Sequence, residues 1–175
     1  MEIGIDVLID DFVKFKRPEL IKIGNHVAID WGFYCTTALE IGNYVHISAY
    51  VTCIGGKHGK LILNGFNNIM TGARIICGSD CFNNRGLHGA MIPDEFHGKL
   101  VIGTVTMEEF SNIGTNAIVM PNSTLRRGVL LTAGSLLMGD TEEWGVYSGN
   151  PARLIRTING EKIIKKAIKL GYNEK

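Results

Sequence analysis

Ionisable side chains of two complementary kinds lie together in the stretch "IPDEFHG", residues 92–98. Asp94 and Glu95 are adjacent carboxylates, and His97 follows two residues after them. Paired carboxylates can bind an ammonium group, and a histidine with an ordinary pKa near 6.5 can take up a proton at neutral pH. We therefore predict that His97, Asp94 and Glu95 are catalytic residues acting on a group that must lose a proton.

The segment around these residues differs in composition from an ordinary surface loop. Residues 83–99, "NNRGLHGAMIPDEFHGK", combine polar side chains with the apolar Met91, Ile92 and Phe96. A loop that only faces solvent would be more charged and less apolar. We predict an ordered loop, inserted at residues 80–99, that presents its polar groups to a cleft between subunits.

Length, charge and cysteine content narrow the class of protein. At 175 residues the chain can bury a single core without disulfides, and 18 Lys and Arg against 17 Asp and Glu give no electrostatic case for binding nucleic acid or a membrane surface. No apolar run is long enough to cross a bilayer, and the acidic start "MEIGIDVLIDD" does not resemble a signal peptide. The four cysteines lack CxxC spacing, so we expect core thiols in a reduced, cytoplasmic location.

An apolar residue recurs at every sixth position through most of the chain. Two breaks, at "KHGK" (57–60) and at the predicted insertion, shift the phase of this repeat. A helix would need apolar spacings of three and four, and a half-buried strand would alternate, so neither explains a period of six. The sixteen repeat positions are Ile23, Ile29, Cys35, Ile41, Ile47, Cys53, Leu63, Ile69, Ile75, Val101, Met107, Ile113, Val119, Leu125, Leu131 and Leu137.

The fifth residue of each hexad is predicted to be a second side chain that points into the core, beside the aliphatic repeat position. The fifth residue of each hexad is mostly small or β-branched, with Asn67 as the polar exception, and glycine follows the aliphatic residue at Gly24, Gly42 and Gly114. Three hexads would form one coil of a triangular prism whose short strands stack on those of neighbouring coils. A β-sandwich is the alternative, but its strands alternate and vary in length. We predict an all-β fold, a parallel β-helix of hexapeptide repeats.

Two stretches of the sequence resemble a known family. "IGTNAIVMPNSTLRRGVLLTAGSLL" (113–137) is similar to the last coils of the hexapeptide-repeat acyltransferases, and "VYSGNPARLIR" (146–156) is similar to the turn by which their chains leave the prism. The resemblance covers residues 23–156 and implies a left-handed parallel β-helix, although the general rule for crossovers would give a right-handed one. It also implies transfer of an acyl group from coenzyme A.

The same resemblance implies where acetyl-CoA, or another acyl-CoA, would bind as the acyl donor. In the family the coenzyme A arm runs along the last coils between two subunits, and the matching positions are Gly114, Ala133 and Gly134. Arg153 and Arg156 follow at the exit turn, where their guanidinium groups could pair with phosphates. No metal is expected, since the five histidines share no hexad phase that would bring three of them together.

The inserted loop resembles that of family members that acylate amino sugars carried on nucleotides during surface-polysaccharide synthesis. By this resemblance Asn83, Asn84 and Arg85 would bind polar sugar or phosphate groups. The two carboxylates would hold the ammonium form of the acceptor, and the histidine would take its proton. Our first hypothesis is therefore CoA-dependent N-acylation of an amino sugar that is linked to a nucleotide.

Two other hypotheses stay open from the sequence. A sugar O-acetyltransferase would acylate a hydroxyl with His97 or His58 as base, since O-acetyltransferases of the family carry a histidine in a segment like "VTCIGGKHGK" (51–60). A hydroxyl needs a general base more than an amine does, so a histidine variant would separate the two by its severity. A β-helix without transferase activity, either carbonic-anhydrase-like or structural, is the third. His26 and His46 are interpreted as surface or coil-packing residues.

The chain divides into a β-helix domain over residues 1–158 and a C-terminal helix over residues 159–175. Apolar residues at helical spacing in "NGEKIIKKAIKLGY" (159–172) predict that helix, with Asn159 as its cap and Gly171 as its stop. It would cover a face or an end of the prism. We expect a homotrimer, as the resemblance implies and because the chain offers no second domain to complete a cleft around the inserted loop.

Overall fold

The computed structural model describes residues 1–83 and 85–173, and its core is a left-handed β-helix of parallel coils. Three sheets form the faces of a triangular prism, and successive strands pass from one face to the next. The hexad repeat produces this arrangement because six residues supply one short strand and one corner, so that three hexads close a coil. The predicted fold class is confirmed.

Most strands are two or three residues long. In chain order they are β1 (Glu2–Ile3), β2 (Val7–Ile9), β3 (Lys14–Phe15), β4 (Ile21–Ile23), β5 (Val27–Ile29), β6 (Tyr34–Cys35), β7 (Ala38–Asn43), β8 (Val45–Ile47), β9 (Thr52–Ile54), β10 (Lys60–Gly65), β11 (Asn68–Ile69), β12 (Arg74–Ile76), β13 (Gly78–Asp80), β14 (Leu100–Ile102), β15 (Thr104–Met107), β16 (Asn112–Ile113), β17 (Ile118–Val119), β18 (Thr124–Leu125), β19 (Leu130–Leu131), β20 (Leu136–Leu137), β21 (Gly145–Gly149) and β22 (Ala152–Thr157). Face A has the order β1-β4-β7-β10-β15-β18, face B the order β2-β5-β8-β11-β16-β19-β21-β22, and face C the order β3-β6-β9-β12-β17-β20. The α-helix α1 spans Glu161–Ile168, and 3-10 turns span Pro18–Leu20, Gly56–His58 and Asp94–Phe96.

Equivalent hexad positions lie directly above one another. Ile23 pairs with Ile41, Ile41 with Leu63, and Leu63 with Met107 in the parallel ladders of face A. Fifteen of the sixteen repeat positions are buried. The exception is Val101, which is 37% exposed because it lies in β14, outside the three faces of the prism. The inserted segment therefore leaves the ladders intact on either side of it.

Asn67 is a buried amide among the apolar residues of the core, and its hydrogen bonds explain why the hexad pattern breaks there. Its Oδ1 accepts from the backbone N–H of Gly65 (2.9 Å), and its Nδ2 donates to the carbonyl oxygens of Glu108 (2.8 Å) and Ser111 (3.0 Å). The amide thus links the end of β10 to the next coil. An apolar residue would leave these backbone groups without partners.

The corner between faces A and B explains two of the glycines that follow aliphatic repeat positions, Gly24 and Gly42. A Cβ on Gly24 would lie 2.7 Å from the carbonyl oxygen of Gly42, so glycine permits adjacent coils to stack closely. The turn itself is made two residues later, where φ is 57° at His26 and 58° at Tyr44. The corner residues of successive coils have positive φ, and their aromatic side chains stack on one another along the corner. These residues are His26, Tyr44, Phe66, Phe110 and Trp144.

The predicted short C-terminal helix is confirmed, and α1 (Glu161–Ile168) is shorter than the predicted 159–175. Asn159 Oδ1 accepts a hydrogen bond from the backbone N–H of Glu161 (2.8 Å) at its start, and Gly171 has a φ of 90° beyond its end. Ala167 is buried, and the ring of Tyr172 packs edge-on against Phe110 with centroids 5.1 Å apart. The helix therefore covers part of the aromatic corner.

Candidate active site

The inserted loop is held at the corner between faces C and A by a short antiparallel ribbon. Strands β13 and β14 pair in the register Gly78 with Ile102, Ser79 with Val101 and Asp80 with Leu100. Directly opposed residues of an antiparallel pair project from the same face of the ribbon. The ribbon therefore fixes both ends of the loop and places the side chains of Asp80 and Leu100 side by side.

Backbone hydrogen bonds order the loop around His97. Leu87 donates its N–H to the carbonyl oxygen of Phe96 and accepts from the N–H of Gly98, each at 2.9 Å. The 3-10 turn Asp94–Phe96 follows Pro93, and the N–H of His97 donates to the carbonyl oxygen of Asp94 (3.2 Å). The histidine backbone is thus fixed on both sides, as expected for an ordered functional loop.

The loop folds back so that the imidazole of His97 meets the carboxylate of Asp80. Nδ1–H of His97 donates to the carbonyl oxygen of Gly98 (3.0 Å), and Nε2 lies 3.5 Å from Oδ1 of Asp80. The two side chains are 16% and 22% exposed. With Nδ1 donating to the backbone, Nε2 is the nitrogen that gains and loses a proton, and it lies near the carboxylate of Asp80 in a residue that lines the cleft.

The pKa of His97 is raised above its ordinary value of 6.5. The hydrogen bond to the Gly98 carbonyl is the largest cause, and partial desolvation opposes it. The negative charge of Asp80, a hydrogen bond to the backbone of Gly89 and, least, the charge of Asp94 raise the pKa further. Each favourable contribution stabilises the imidazolium form. The pair is therefore suited to accept a proton from a substrate and to hold it during a reaction.

A cleft of about 800 Å³ opens beside this pair. Its polar side carries Asp80, Asp94 and His97 from the inserted segment, with Tyr34 and Thr36 from face C and its corner. Backbone N–H groups of the adjoining "IGG" segment donate to Thr36 Oγ1, at 3.2 and 3.4 Å. The cleft thus combines an acid–base pair with a further carboxylate and hydroxyl groups in one concave space, as binding sites for small molecules do.

The predicted loop residues occupy different places around this cleft. Asp94 and His97 line it, and Glu95 lies beside them in the same 3-10 turn with an exposed side chain. Asn83 and Arg85 are exposed in the first part of the loop. Asn84 lies outside the described residues. The substrate-binding and catalytic roles assigned to all of these residues stay predictions.

Sequence reasoning missed Asp80 as a functional residue and placed it only at the boundary of the insertion. The available signal was its position, because it is the last residue of "CGSD" (77–80), where the hexad repeat stops. An acidic side chain at the exit from a rigid element is well placed to act on a substrate held by the following loop. Its proximity to His97 could not be read from the sequence, because the fold of the loop brings the two side chains together.

The residues predicted to bind coenzyme A lie at a different corner. Gly114, Ala133 and Gly134 lie between faces B and C in the last coils, and Gly134 has a φ of 67°. A Cβ on Gly114 would lie 2.5 Å from the backbone nitrogen of Ala133, so glycine is needed there for close stacking of coils. Arg153 and Arg156 have exposed side chains on β22, which pairs antiparallel with β21. Small residues and exposed guanidinium groups fit a phosphate-bearing donor, and this role stays a prediction.

None of the other four histidines, His26, His46, His58 and His88, lines the cleft. His26 Nδ1 lies 2.8 Å from Asp6 Oδ2, and His46 Nε2 lies 2.9 Å from Asp30 Oδ2, both on strands or corners of the prism. His58 is exposed in the 3-10 turn Gly56–His58. A separate, mostly apolar cavity of about 680 Å³ lies between α1 and face B and contains two of these histidines.

Residues 1–83 and 85–173 contain neither a cluster suited to a metal ion nor a membrane-spanning helix. Within that part of the chain, no group of three or more His, Cys, Asp or Glu side chains is arranged to hold a metal ion. No helix in the same ranges is long and apolar enough to cross a membrane. The four cysteines are free thiols, and Cys35, Cys53 and Cys77 are buried at the inner side of the coils.

Comparison with known proteins gives relatives of one chemical class. No protein-family model matches the chain. A dTDP-4-amino-4,6-dideoxy-D-glucose acyltransferase from Escherichia coli is 29% identical over 158 residues, which cover 87% of this chain and 80% of the relative. The structure of a variant of AntD, an N-acyltransferase from Bacillus cereus in complex with dTDP and coenzyme A, superposes with a TM-score of 0.91 at 28% identity, covering 97% of this chain and 91% of that chain. AntD in complex with dTDP and 3-hydroxybutyryl-CoA gives 0.84 at 27% identity, covering 97% and 89%.

The stacked hexapeptide coils place the chain in the left-handed β-helix class, and these relatives show that it is similar to the hexapeptide-repeat acyltransferases. Within this class it is an acyl-CoA-dependent enzyme that is similar to the N-acyltransferases of nucleotide-linked amino sugars.

Proposed function

We propose that the enzyme transfers an acyl group from acyl-CoA to the amino group of a dTDP-linked 4-amino-4,6-dideoxy sugar. The observation that carries this proposal is that the His97–Asp80 pair and Asp94 line the same cleft. A carboxylate and a proton acceptor together are what an amine that arrives as ammonium requires. The similarity to the E. coli dTDP-4-amino-4,6-dideoxy-D-glucose acyltransferase supplies the sugar class.

The reaction at this cleft is a nucleophilic acyl substitution. The ammonium form of the acceptor first loses one proton to water. The nitrogen of the free amine then attacks the thioester carbonyl carbon, so a C–N bond forms, the C–S bond breaks and the nitrogen releases a second proton. This second proton passes to Nε2 of His97, whose imidazolium form is stabilised by Asp80 and by the Gly98 carbonyl. His97 then returns the proton to the departing thiolate, which leaves as coenzyme A.

The acceptor is held by the polar residues of the loop. Asp94, with Glu95 beside it, attracts the ammonium form and orients the amine toward His97. Asn83, Asn84 and Arg85 bind sugar hydroxyls or the diphosphate, for which a guanidinium fork is suited. The product is an acylamido sugar that can be used in surface-polysaccharide synthesis.

In this proposal the acyl-CoA donor is bound by residues of a second subunit of a homotrimer. The loop leaves the prism at the corner between faces C and A, whereas the predicted donor residues lie between faces B and C and on β22, so face C separates the two groups within one chain. A neighbouring subunit that brings its B–C corner to the loop would complete the site. Closed threefold symmetry would then create three equivalent sites.

We place the reaction in the cytoplasm. The core cysteines are free thiols, which suits a reducing compartment. Acyl-CoA and nucleotide sugars are also intracellular metabolites, so both substrates would be available there.

A donor and acceptor screen tests this function directly. Purified enzyme is incubated with acyl-CoA and dTDP-4-amino-4,6-dideoxyglucose, and thiol release is followed together with the mass of the sugar product. We expect thiol release that depends on the amino sugar, and a product heavier by one acyl group. Acylation of the corresponding dTDP-6-deoxyglucose, with a hydroxyl at the same carbon, at an equal or higher rate would contradict N-acylation and support the O-acetyltransferase alternative.

Replacing Arg153 with alanine should raise the KM for acyl-CoA by about 5- to 50-fold and leave the acceptor KM nearly unchanged. The reason is that a charged contact with a phosphate remote from the thioester contributes to donor binding before and during reaction alike. Arg156→Ala is the companion variant on the same strand. An unchanged acyl-CoA KM in Arg153→Ala would remove that residue from the donor site.

Co-expression of Arg153→Ala with His97→Asn tests the shared site at low acyl-CoA concentration. In mixed trimers, some clefts receive a wild-type loop from one subunit and a wild-type Arg153 from its neighbour. Activity above the sum of the two separate variants is therefore expected. Activity equal to that sum would place both residues in one chain's site and contradict the intersubunit arrangement.

A further inference from the structure

One wall of the active-site cleft is aliphatic and lies next to the acid–base pair. Leu100 and Ile102 alternate with Val101 along β14, so they project from the same face of the ribbon. That face is also the one that carries Asp80, because Asp80 and Leu100 are directly opposed. Ile54, at the end of β9, also lines the cleft. We call Ile54, Leu100 and Ile102 the aliphatic wall.

The aliphatic wall is only partly covered by the chain itself. Leu100 is 47% exposed and Ile54 is 37% exposed, whereas the hexad residues of the neighbouring coils are buried. Gly78 lies opposite Ile102, and a Cβ there would lie 3.0 Å from the Cα of Gly55, so glycine lets the segment after Ile54 pack closely against the ribbon. Apolar surface left exposed in a concave site is stabilised when a ligand removes it from water.

Resting on the proposed function, we infer that the aliphatic wall binds the hydrocarbon part of the acyl group and that the enzyme prefers donors with longer acyl groups than acetyl. The sugar hydroxyls and the ammonium group need hydrogen-bond partners, and the cleft offers these at Asp80, Asp94 and Tyr34. The wall offers none, so it fits a hydrocarbon. The single methyl group of a 6-deoxy sugar would cover only part of the apolar surface that the three branched side chains of the wall expose.

The position of the wall relative to the chemistry supports this assignment. The thioester carbonyl must come within reach of an amine that gives its proton to His97, so the acyl carbons begin beside the His97–Asp80 pair. Leu100 is the neighbour of Asp80 across the ribbon. An acyl chain that starts at the carbonyl and extends along β14 would therefore meet Leu100 first and Ile102 next.

The test compares acetyl-CoA with butyryl-CoA as donors to the same amino sugar. Two additional buried methylenes, at about fourfold each, should make kcat/KM for butyryl-CoA about 15-fold higher in the wild type. In Leu100→Ala the ratio of kcat/KM for butyryl-CoA to that for acetyl-CoA should fall by about 5- to 10-fold. Ile102→Ala should lower the same ratio. It provides a second variant if thermal unfolding shows that Leu100→Ala is poorly folded.

Val101→Ala is the matched control, because Val101 is an exposed aliphatic residue of the same strand that projects from the opposite face. Its donor ratio should equal that of the wild type. A wild-type ratio at or below one, or an equal loss for both donors in Leu100→Ala with a higher acceptor KM, would overturn the inference. A change in trimer mass by light scattering for Leu100→Ala would also overturn it, since the wall would then be a subunit contact. Absence of transfer from every donor in the wild type would instead reject the proposed function itself.

Discussion

Replacing His97 with asparagine should lower kcat for acyl transfer by about 10²- to 10⁴-fold, the usual contribution of a positioned proton acceptor. Asparagine is similar in size to histidine but cannot take up a proton at the position of Nε2. Because the pKa of His97 is raised, wild-type activity should increase with pH through a pKa above 6.5 as the imidazole becomes neutral. The variant should lose this limb and keep only the dependence on free amine, so its loss relative to the wild type should be greatest above that pKa, where the wild-type imidazole is neutral and can act as a base.

His58→Asn is the control for this experiment. His58 is exposed in a 3-10 turn that precedes the inserted loop, so its replacement should change kcat by less than about twofold. Steady-state rates across the pH range, measured at saturating donor, compare the two variants. If His58→Asn loses more activity than His97→Asn, the base has been assigned to the wrong residue and the O-acetyltransferase hypothesis gains support.

Replacing Asp80 with asparagine should lower kcat by roughly 10- to 100-fold and move the acidic limb of the pH profile to lower pH. The carboxylate stabilises the imidazolium form of His97, so its removal lowers the pKa of the histidine toward its ordinary value. A less basic imidazole is neutral at lower pH but accepts a proton less favourably during attack. The limb therefore shifts to lower pH while the plateau rate falls.

The profile of kcat/KM against pH measures this shift, because it reports the ionisation of the free enzyme and the free substrate, and the variant leaves the substrate unchanged. Asp94→Asn is the comparison, since Asp94 contributes less to the pKa of His97. It should mainly raise the acceptor KM and move the limb less than Asp80→Asn does. An acidic limb that stays in place in Asp80→Asn would show that the Asp80–His97 pair does not set the protonation of the catalytic group.

The candidate site was predictable from sequence only where its residues are neighbours in the chain. Asp94, Glu95 and His97 lie close together in "IPDEFHG", so a carboxylate beside a histidine was visible as a local motif. Asp80 was not, because it and His97 are at opposite ends of the loop and meet only when β13 pairs with β14. The same antiparallel pairing removes Val101 from the core, although its sequence position satisfies the hexad repeat.

The sequence by itself determined the β-helix, because each hexad carries its own inward residue and its own corner and the pattern recurs through the chain. Burial of Ile41, Leu63 and Met107 in one ladder depends on spacing that is readable residue by residue. Only the tertiary structure decided which side chains share the cleft. The faces of Leu100 and Asp80 follow from the register of a ribbon outside the repeat, and a register change of one residue would turn each side chain to the opposite face.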